Sequence, residues 1–135
     1  MLVVDASAIT ELLLGRPSAA AVAEQLAAHD HDMHAPDLLD IEVLSALRRL
    51  VATGEAGPER AEAAVVDLLD LSLARYAHDI LVPRIWSLRA NFSAYDAAYV
   101  ALAEALSDEG VPLLTTDGKL GRAVRAHTDL AVLTG

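Results

Sequence analysis

The sequence contains no cysteine, a single lysine, and only one Trp, one Phe and three Tyr among 135 residues. Without cysteine there is no disulfide scaffold, zinc ribbon, thiol nucleophile or iron–sulfur site. With so few aromatics, and much of the apolar composition in alanine, Leu and Val must supply most of the core. No stretch reaches the ~18 consecutive apolar residues of a membrane span. The opening Met-Leu-Val-Val-Asp-Ala-Ser has neither a basic region nor a cleavage site, so it does not read as a signal peptide, and a cytoplasmic location is expected. Glycines are scattered rather than gathered into a phosphate-binding loop, and neither GxSxG nor HExxH occurs.

Acid is what the chain has in excess. Asp plus Glu total 20 against 10 Lys plus Arg, a formal net charge of −10. Taken alone, that balance argues against nucleic acid, whose phosphates favour a basic footprint. It suits a metal ion or a basic protein partner. The apolar fraction of 54% and the length fit one compact domain over residues 1–135, with room for a core that needs no staples.

Short apolar runs alternate with helical patterns. Strands are expected at Met1–Val4, Met33–Ala35, Leu71–Tyr76, Pro112–Thr115 and Leu130–Leu133. Helices are expected from Asp5 to Leu14, from Pro17 to Ala28, from Asp37 to Ala52, with Leu44, Leu47, Leu50 and Val51 at helical spacing, from Gly57 to Leu69, from His78 to Arg89, from Ser93 to Ser107, and from Gly118 to Ala126. Continuous apolar strands separated by helices predict a three-layer α/β/α sandwich around a short parallel sheet of four to five strands. Ligands of such sheets bind beyond the carboxyl ends of the strands, where the strand order reverses.

Two of those ends carry aspartate: Asp5 and Asp117, each leading into a helix. An N-cap alone accounts for either one. Asp96 stands three residues after Ser93, as in a capping box, with no cation at i+3 or i+4. Glu42 has only Ser45 and Ala46 at those positions, although Asp37 and Asp40 compete for any role given to it. Together the four acids pose a different problem, because carboxylates sharing a pocket repel and resist ionisation. A divalent cation removes the penalty. Hard oxygen ligands suit Mg²⁺ or Mn²⁺, either of which can polarise a phosphoryl oxygen.

The segments Val-Val-Asp-Ala-Ser-Ala-Ile, Ile-Glu-Val-Leu-Ser-Ala-Leu, Ser-Ala-Tyr-Asp-Ala-Ala-Tyr-Val-Ala-Leu-Ala-Glu-Ala-Leu and Leu-Leu-Thr-Thr-Asp-Gly-Lys-Leu-Gly-Arg-Ala occur in that order. The chain thereby resembles, over nearly its whole length, the PIN-domain ribonucleases and among them the VapC-like toxins of bacterial toxin–antitoxin pairs. The resemblance implies an Mg²⁺- or Mn²⁺-dependent endoribonuclease with the quartet Asp5, Glu42, Asp96 and Asp117. Asp5 and Asp96 are expected as direct metal ligands, and Glu42 and Asp117 as ligands directly or through water. Ser7 and Thr115 match positions that often carry a small polar group supporting the site. It further implies metal-assisted hydrolysis of RNA leaving a 5′-phosphate and a 3′-hydroxyl, a homodimer, and a cognate antitoxin.

Several side chains stand outside that quartet. Arg89, Lys119 and Arg122 are candidate RNA contacts, Arg125 and the Arg48–Arg49 pair read as surface charge, and Trp86, Tyr95 and Tyr99 read as core or interface residues with base stacking as the alternative. His29, His31 and His34 read as a surface turn, with transition-metal binding as the alternative. Two other functions compete with the nuclease. A receiver-like phosphoacceptor is also acidic and α/β, but it usually carries adjacent acids where Asp5 stands alone. A catalytically silent PIN-like scaffold is the other.

Overall fold

The computed structural model describes residues 1–134. Five parallel strands, β1 (Leu2–Val4), β2 (Met33–Pro36), β3 (Leu73–Tyr76), β4 (Leu113–Thr115) and β5 (Val132–Thr134), form one sheet in the order β3-β2-β1-β4-β5. The helices are α1 (Ala6–Leu14), α2 (Ala19–Ala28), α3 (Leu38–Ala52), α4 (Pro58–Asp70), α5 (Val82–Ser87), α6 (Ala94–Ala105) and α7 (Gly118–His127). From β1 the chain steps outward through β2 to β3. It then crosses back to β4 on the other side of β1. The order therefore reverses between β1 and β4, where Val3 pairs with Leu113 and Val4 with Leu114. A receiver has the order 2-1-3-4-5, so this topology removes the phosphoacceptor reading.

Right-handed crossovers put α1 to α4 on one face and α5 to α7 on the other, which gives the expected three layers. On the first face α1 packs against α2, α3 and α4; on the second α6 lies across β1, β2 and β4. Helix α6 is buried continuously from Ala97 to Ala103. Its alanines let the backbone lie close to the sheet, and Tyr99 is the one large side chain they make room for. Leu2, Val3, Val4, Leu113 and Leu114, all fully buried, show why the central strands read as unbroken apolar runs.

Element ends follow local chemistry. Gly15 closes α1 in the left-handed region at φ 62°. At Gly110 φ is 78° and a Cβ would meet Leu130 Cδ2 at 2.5 Å, so only glycine fits the return from α6 to β4.

Five expectations need correction. The helix expected from His78 to Arg89 is a 3₁₀ turn over Asp79–Leu81 followed by the short α5, because Pro83 occupies a first-turn position, where its missing N–H costs nothing. The Ser93 helix ends at Ala105 rather than Ser107, and the last strand runs from Val132 to Thr134 rather than from Leu130 to Leu133. Leu44 is 40% exposed, so the α3 seam runs through Leu39, Val43, Leu47 and Leu50 instead. His34 is buried in β2, hydrogen-bonded to Tyr76 Oη at 2.6 Å and Asp32 Oδ1 at 2.8 Å, and does not belong to the surface turn.

Candidate active site

Asp5 follows β1 and Asp117 follows β4, so both acids fall at the reversal of strand order. Both do cap helices. Asp5 Oδ1 accepts from Ala8 N at 3.0 Å, and Asp117 Oδ1 accepts from Lys119 N at 3.0 Å and Leu120 N at 3.2 Å. Capping occupies one carboxylate oxygen in each case, so it does not compete with a second role for the other.

The Asp5 corner is the most constrained part of the site. Ser7 Oγ donates to Asp5 Oδ1 at 2.7 Å, and Thr115 Oγ1 donates to Asp5 Oδ2. The two hydroxyls are oriented in turn by backbone donors, Thr116 N to Ser7 Oγ and Asp117 N to Thr115 Oγ1, both at 3.0 Å. Because β1 and β4 are adjacent, hydroxyls 108 residues apart in sequence converge on one carboxylate. Oδ1 accepts two of these bonds and Oδ2 only one, so the lone pair left free is on Oδ2. Asp5 is 4% exposed, and burial pushes its carboxyl up to about 6 despite the Thr115, Ser7 and Ala8 donors, with the Asp117 charge adding to the rise.

Glu42 enters from α3 and is half-buried. Tyr99 Oη, from α6 on the opposite face, donates to Glu42 Oε1 at 2.5 Å. Burial raises the Glu42 carboxyl and the Asp96 charge raises it further, while the tyrosine bond pulls the other way. Burial together with the Glu42 bond holds the Tyr99 phenol far above its ordinary range, so it remains a donor. The sequence reading missed this contact. The available signal was a tyrosine one turn beyond Asp96 in an alanine-rich helix.

Asp96, in the first turn of α6, receives only half of a capping box: its N–H donates to Ser93 Oγ at 3.1 Å. Its carboxyl is raised first by burial and then by the Asp117 charge, with Lys119 partly offsetting both. The four acids are thus linked electrostatically as neighbours, Asp5 to Asp117, Asp117 to Asp96, and Asp96 to Glu42. Among the described residues no ion pair reaches any of them, and no three His, Cys, Asp or Glu side chains are gathered closely enough to hold a metal ion as they stand. An all-oxygen set spread in this way fits a hard divalent cation that keeps part of its water, the usual habit of Mg²⁺, rather than a tightly caged ion.

Of the candidate RNA contacts, Lys119 lies close enough to act on Asp96. Arg122 folds back over Gly118 beside it. Arg89 is engaged elsewhere: its guanidinium stacks 4.5 Å over the Trp86 ring and donates to Trp86 O at 3.0 Å. Tyr99 is core, whereas Trp86 and Tyr95 are each 66% exposed.

The PIN domain family model matches residues 2–126. The chain belongs to the PIN-domain family. Curated relatives place it among the VapC proteins: it is 45% identical over 122 residues to Ribonuclease VapC1 of Mycobacterium tuberculosis, covering 90% of this chain and 89% of that one. It is 40% identical to Ribonuclease VapC12 of the same organism, covering 91% and 92%. The crystal structure of M. tuberculosis VapC20 shares the fold at a TM-score of 0.68 and 18% identity, covering 91% of this PIN domain and 95% of that chain.

Proposed function

We propose that this single-domain PIN protein is a divalent-metal-dependent endoribonuclease acting in the cytoplasm as the toxin of a toxin–antitoxin pair. One observation supports the reading: four acids form an electrostatically coupled series starting at the sheet's switch point, three of them with raised pKa values, and none has an ion-pair partner among the described residues. Such an arrangement is costly for the protein alone and comfortable around a cation. The ribonuclease names of the curated relatives supply the substrate class.

Asp5 and Asp96 would hold Mg²⁺ or Mn²⁺ directly, with Glu42 and Asp117 binding it directly or through water. When bound, the ion supplies charge to offset the scissile phosphate and its transition state. Ser7 and Thr115 fix both oxygens of Asp5, so the carboxylate is pre-oriented. Tyr99 holds one oxygen of Glu42 and leaves the other to accept a proton from, or orient, the attacking water. Lys119 and Arg122 offer charge to flanking phosphates. A homodimer and a basic antitoxin segment are the partners this reading expects.

The test is incubation of purified protein with single-stranded RNA in Mn²⁺ or Mg²⁺ and in excess EDTA. Cleavage that needs the ion and leaves 5′-phosphate ends is expected. Undiminished cleavage in chelator contradicts the metal role; no cleavage under any metal condition favours the silent scaffold.

A further inference from the structure

A cleft of about 170 Å³ opens beside the carboxylates on the α1–α3 side. Its walls include Ser7, Thr10, Glu11, Arg16, Arg49 and Thr116, so two guanidinium groups outnumber one carboxylate. Ser7 is the residue that donates to Asp5, and Thr116 immediately precedes Asp117, so the cleft is continuous with the acidic site. Its charge is of the opposite kind. Arg49 lies in the last turn of α3, exposed, with no ion pair among the described residues. Arg16 sits just beyond α1, its Nε 3.1 Å from Glu11 Oε2. That contact steadies the side chain while four of its five N–H donors remain outside it. A third guanidinium, Arg60 of α4, lies against Gly15 next to Arg16. Thr10 adds a hydroxyl that is buried and has no hydrogen-bond partner.

We infer that this cleft is a phosphate subsite, in which Arg16 and Arg49 hold a backbone phosphate of single-stranded RNA next to the phosphate being cut. The inference rests on the nuclease reading above and adds to it a binding site outside the acidic quartet. Its physical basis is a charge problem. A chain of net charge −10 repels RNA, and the acids at the site would repel it most where it must come closest. Three of the ten cations are engaged elsewhere: Arg75 pairs with Asp40, Arg84 with Glu104, and Arg89 stacks on Trp86. Lys119 and Arg122 supply charge on the α7 side, and the Arg16–Arg49 cleft supplies it on the α1–α3 side. A strand crossing the carboxylates then meets guanidinium groups on both flanks, and Arg matches phosphate in a bidentate manner. Surface charge is a sufficient description of Arg48, one residue away, which faces a different and largely apolar groove. It is not sufficient for Arg49.

Arg48 therefore provides the control. Arg49→Glu and Arg48→Glu change the net charge equally, and only the first alters the cleft. Steady-state cleavage of a fluorescein-labelled mixed-sequence 12-nucleotide RNA in Mn²⁺ is measured for both and for wild type, across salt concentrations. Thermal melts confirm folding, and Arg49→Gln serves as the milder variant. For Arg49→Glu we expect KM to rise about tenfold or more with kcat within about twofold, about a twofold rise for Arg48→Glu, and a smaller rise for Arg49→Gln in the same direction. The salt dependence of log kcat/KM should flatten by about 0.7 for the Arg49 variants, the value for one phosphate contact on a single strand. Equal effects of Arg48→Glu and Arg49→Glu, or an Arg49→Glu enzyme with wild-type KM and salt slope, overturn the subsite and leave the nuclease intact. RNA left uncut by the wild-type protein overturns both.

Discussion

Away from the carboxyl edge of the sheet, four acidic side chains have partners of opposite charge. Asp40 takes a two-pronged contact from Arg75 at 2.7 and 3.0 Å, Glu104 takes one from Arg84 at 3.0 and 2.9 Å, Glu11 meets Arg16, and Asp32 lies between His34 and the N-terminal amine. At the carboxyl edge, Asp5, Glu42, Asp96 and Asp117 meet hydroxyls, backbone N–H groups and one another. The paired acids are partly or fully exposed, and a cation offsets the charge of each. Of the four at the edge, Asp117 is exposed, while Asp5 is buried, Glu42 and Asp96 are partly buried, and these three are pushed toward the neutral form. Burial without a counter-charge is what separates a site from decoration in a chain with acid to spare.

The contrast is broken most severely by removing Asp5. Asp5→Asn keeps the shape and most of the hydrogen bonds but deletes the charge. RNA cleavage should fall at least about 10³-fold, on the order of 4 kcal/mol of transition-state stabilisation. The metal-free protein should meanwhile become more stable at neutral pH. The sign follows from the pKa. Below pH 3.8 Asp5 is protonated in both folded and unfolded chains and contributes nothing. As pH rises from there to about 6, the unfolded chain releases a proton that the folded one retains, so stability falls; above that window the penalty is constant at about 3 kcal/mol. Chelator-treated wild type and Asp5→Asn should thus have similar melting behaviour near pH 3.8 and diverge as pH rises to 7. Parallel curves contradict the desolvated-carboxylate account.

Tyr99→Phe tests the contact between α6 and α3. Loss of its hydroxyl frees Glu42 without changing the packing, and a fall in kcat of about tenfold with little change in KM is expected. An unchanged kcat makes Tyr99 a core residue only. Asp96→Asn removes a repelling charge, so the metal-free melting temperature should rise while cleavage is lost. A large drop instead returns Asp96 to the role of helix start. Among the paired acids, Asp40→Asn should cost about 1 kcal/mol at most, because its partner is at the surface, and should leave cleavage at the wild-type rate.

Much of this was legible before the fold was known, for reasons that can be stated. Strands such as Leu2–Val4 and Leu113–Thr115 are unbroken apolar runs because helices cover both faces of the sheet, and Gly15 and Ser93 mark helix ends through local chemistry. The acids at strand ends were visible because parallel sheets present that edge to ligands. What the sequence hid depends on distance along the chain. Tyr99 meets Glu42 across 57 residues, and Ser7 meets Thr115 across 108, contacts that only the crossing from β3 to β4 creates. Helical spacing suggested Leu44 for the core, but the face it lies on is left open beside α4. Arg89 looked free to reach the site because nothing in its neighbourhood announces that Trp86, three residues earlier, captures it. The Arg16–Arg49 cleft was equally hidden, since it joins the end of one helix to the end of another.

The central claim is that the four acids are left without ion-pair partners so that together they receive a divalent ion. Calorimetric titration of Mn²⁺ into chelator-stripped wild type and into the Asp5→Asn/Asp96→Asn double variant tests it with no RNA present. Saturable binding by the wild type, lost or weakened at least about a hundredfold in the double variant, is the predicted result. Equal Mn²⁺ binding by the two proteins contradicts it.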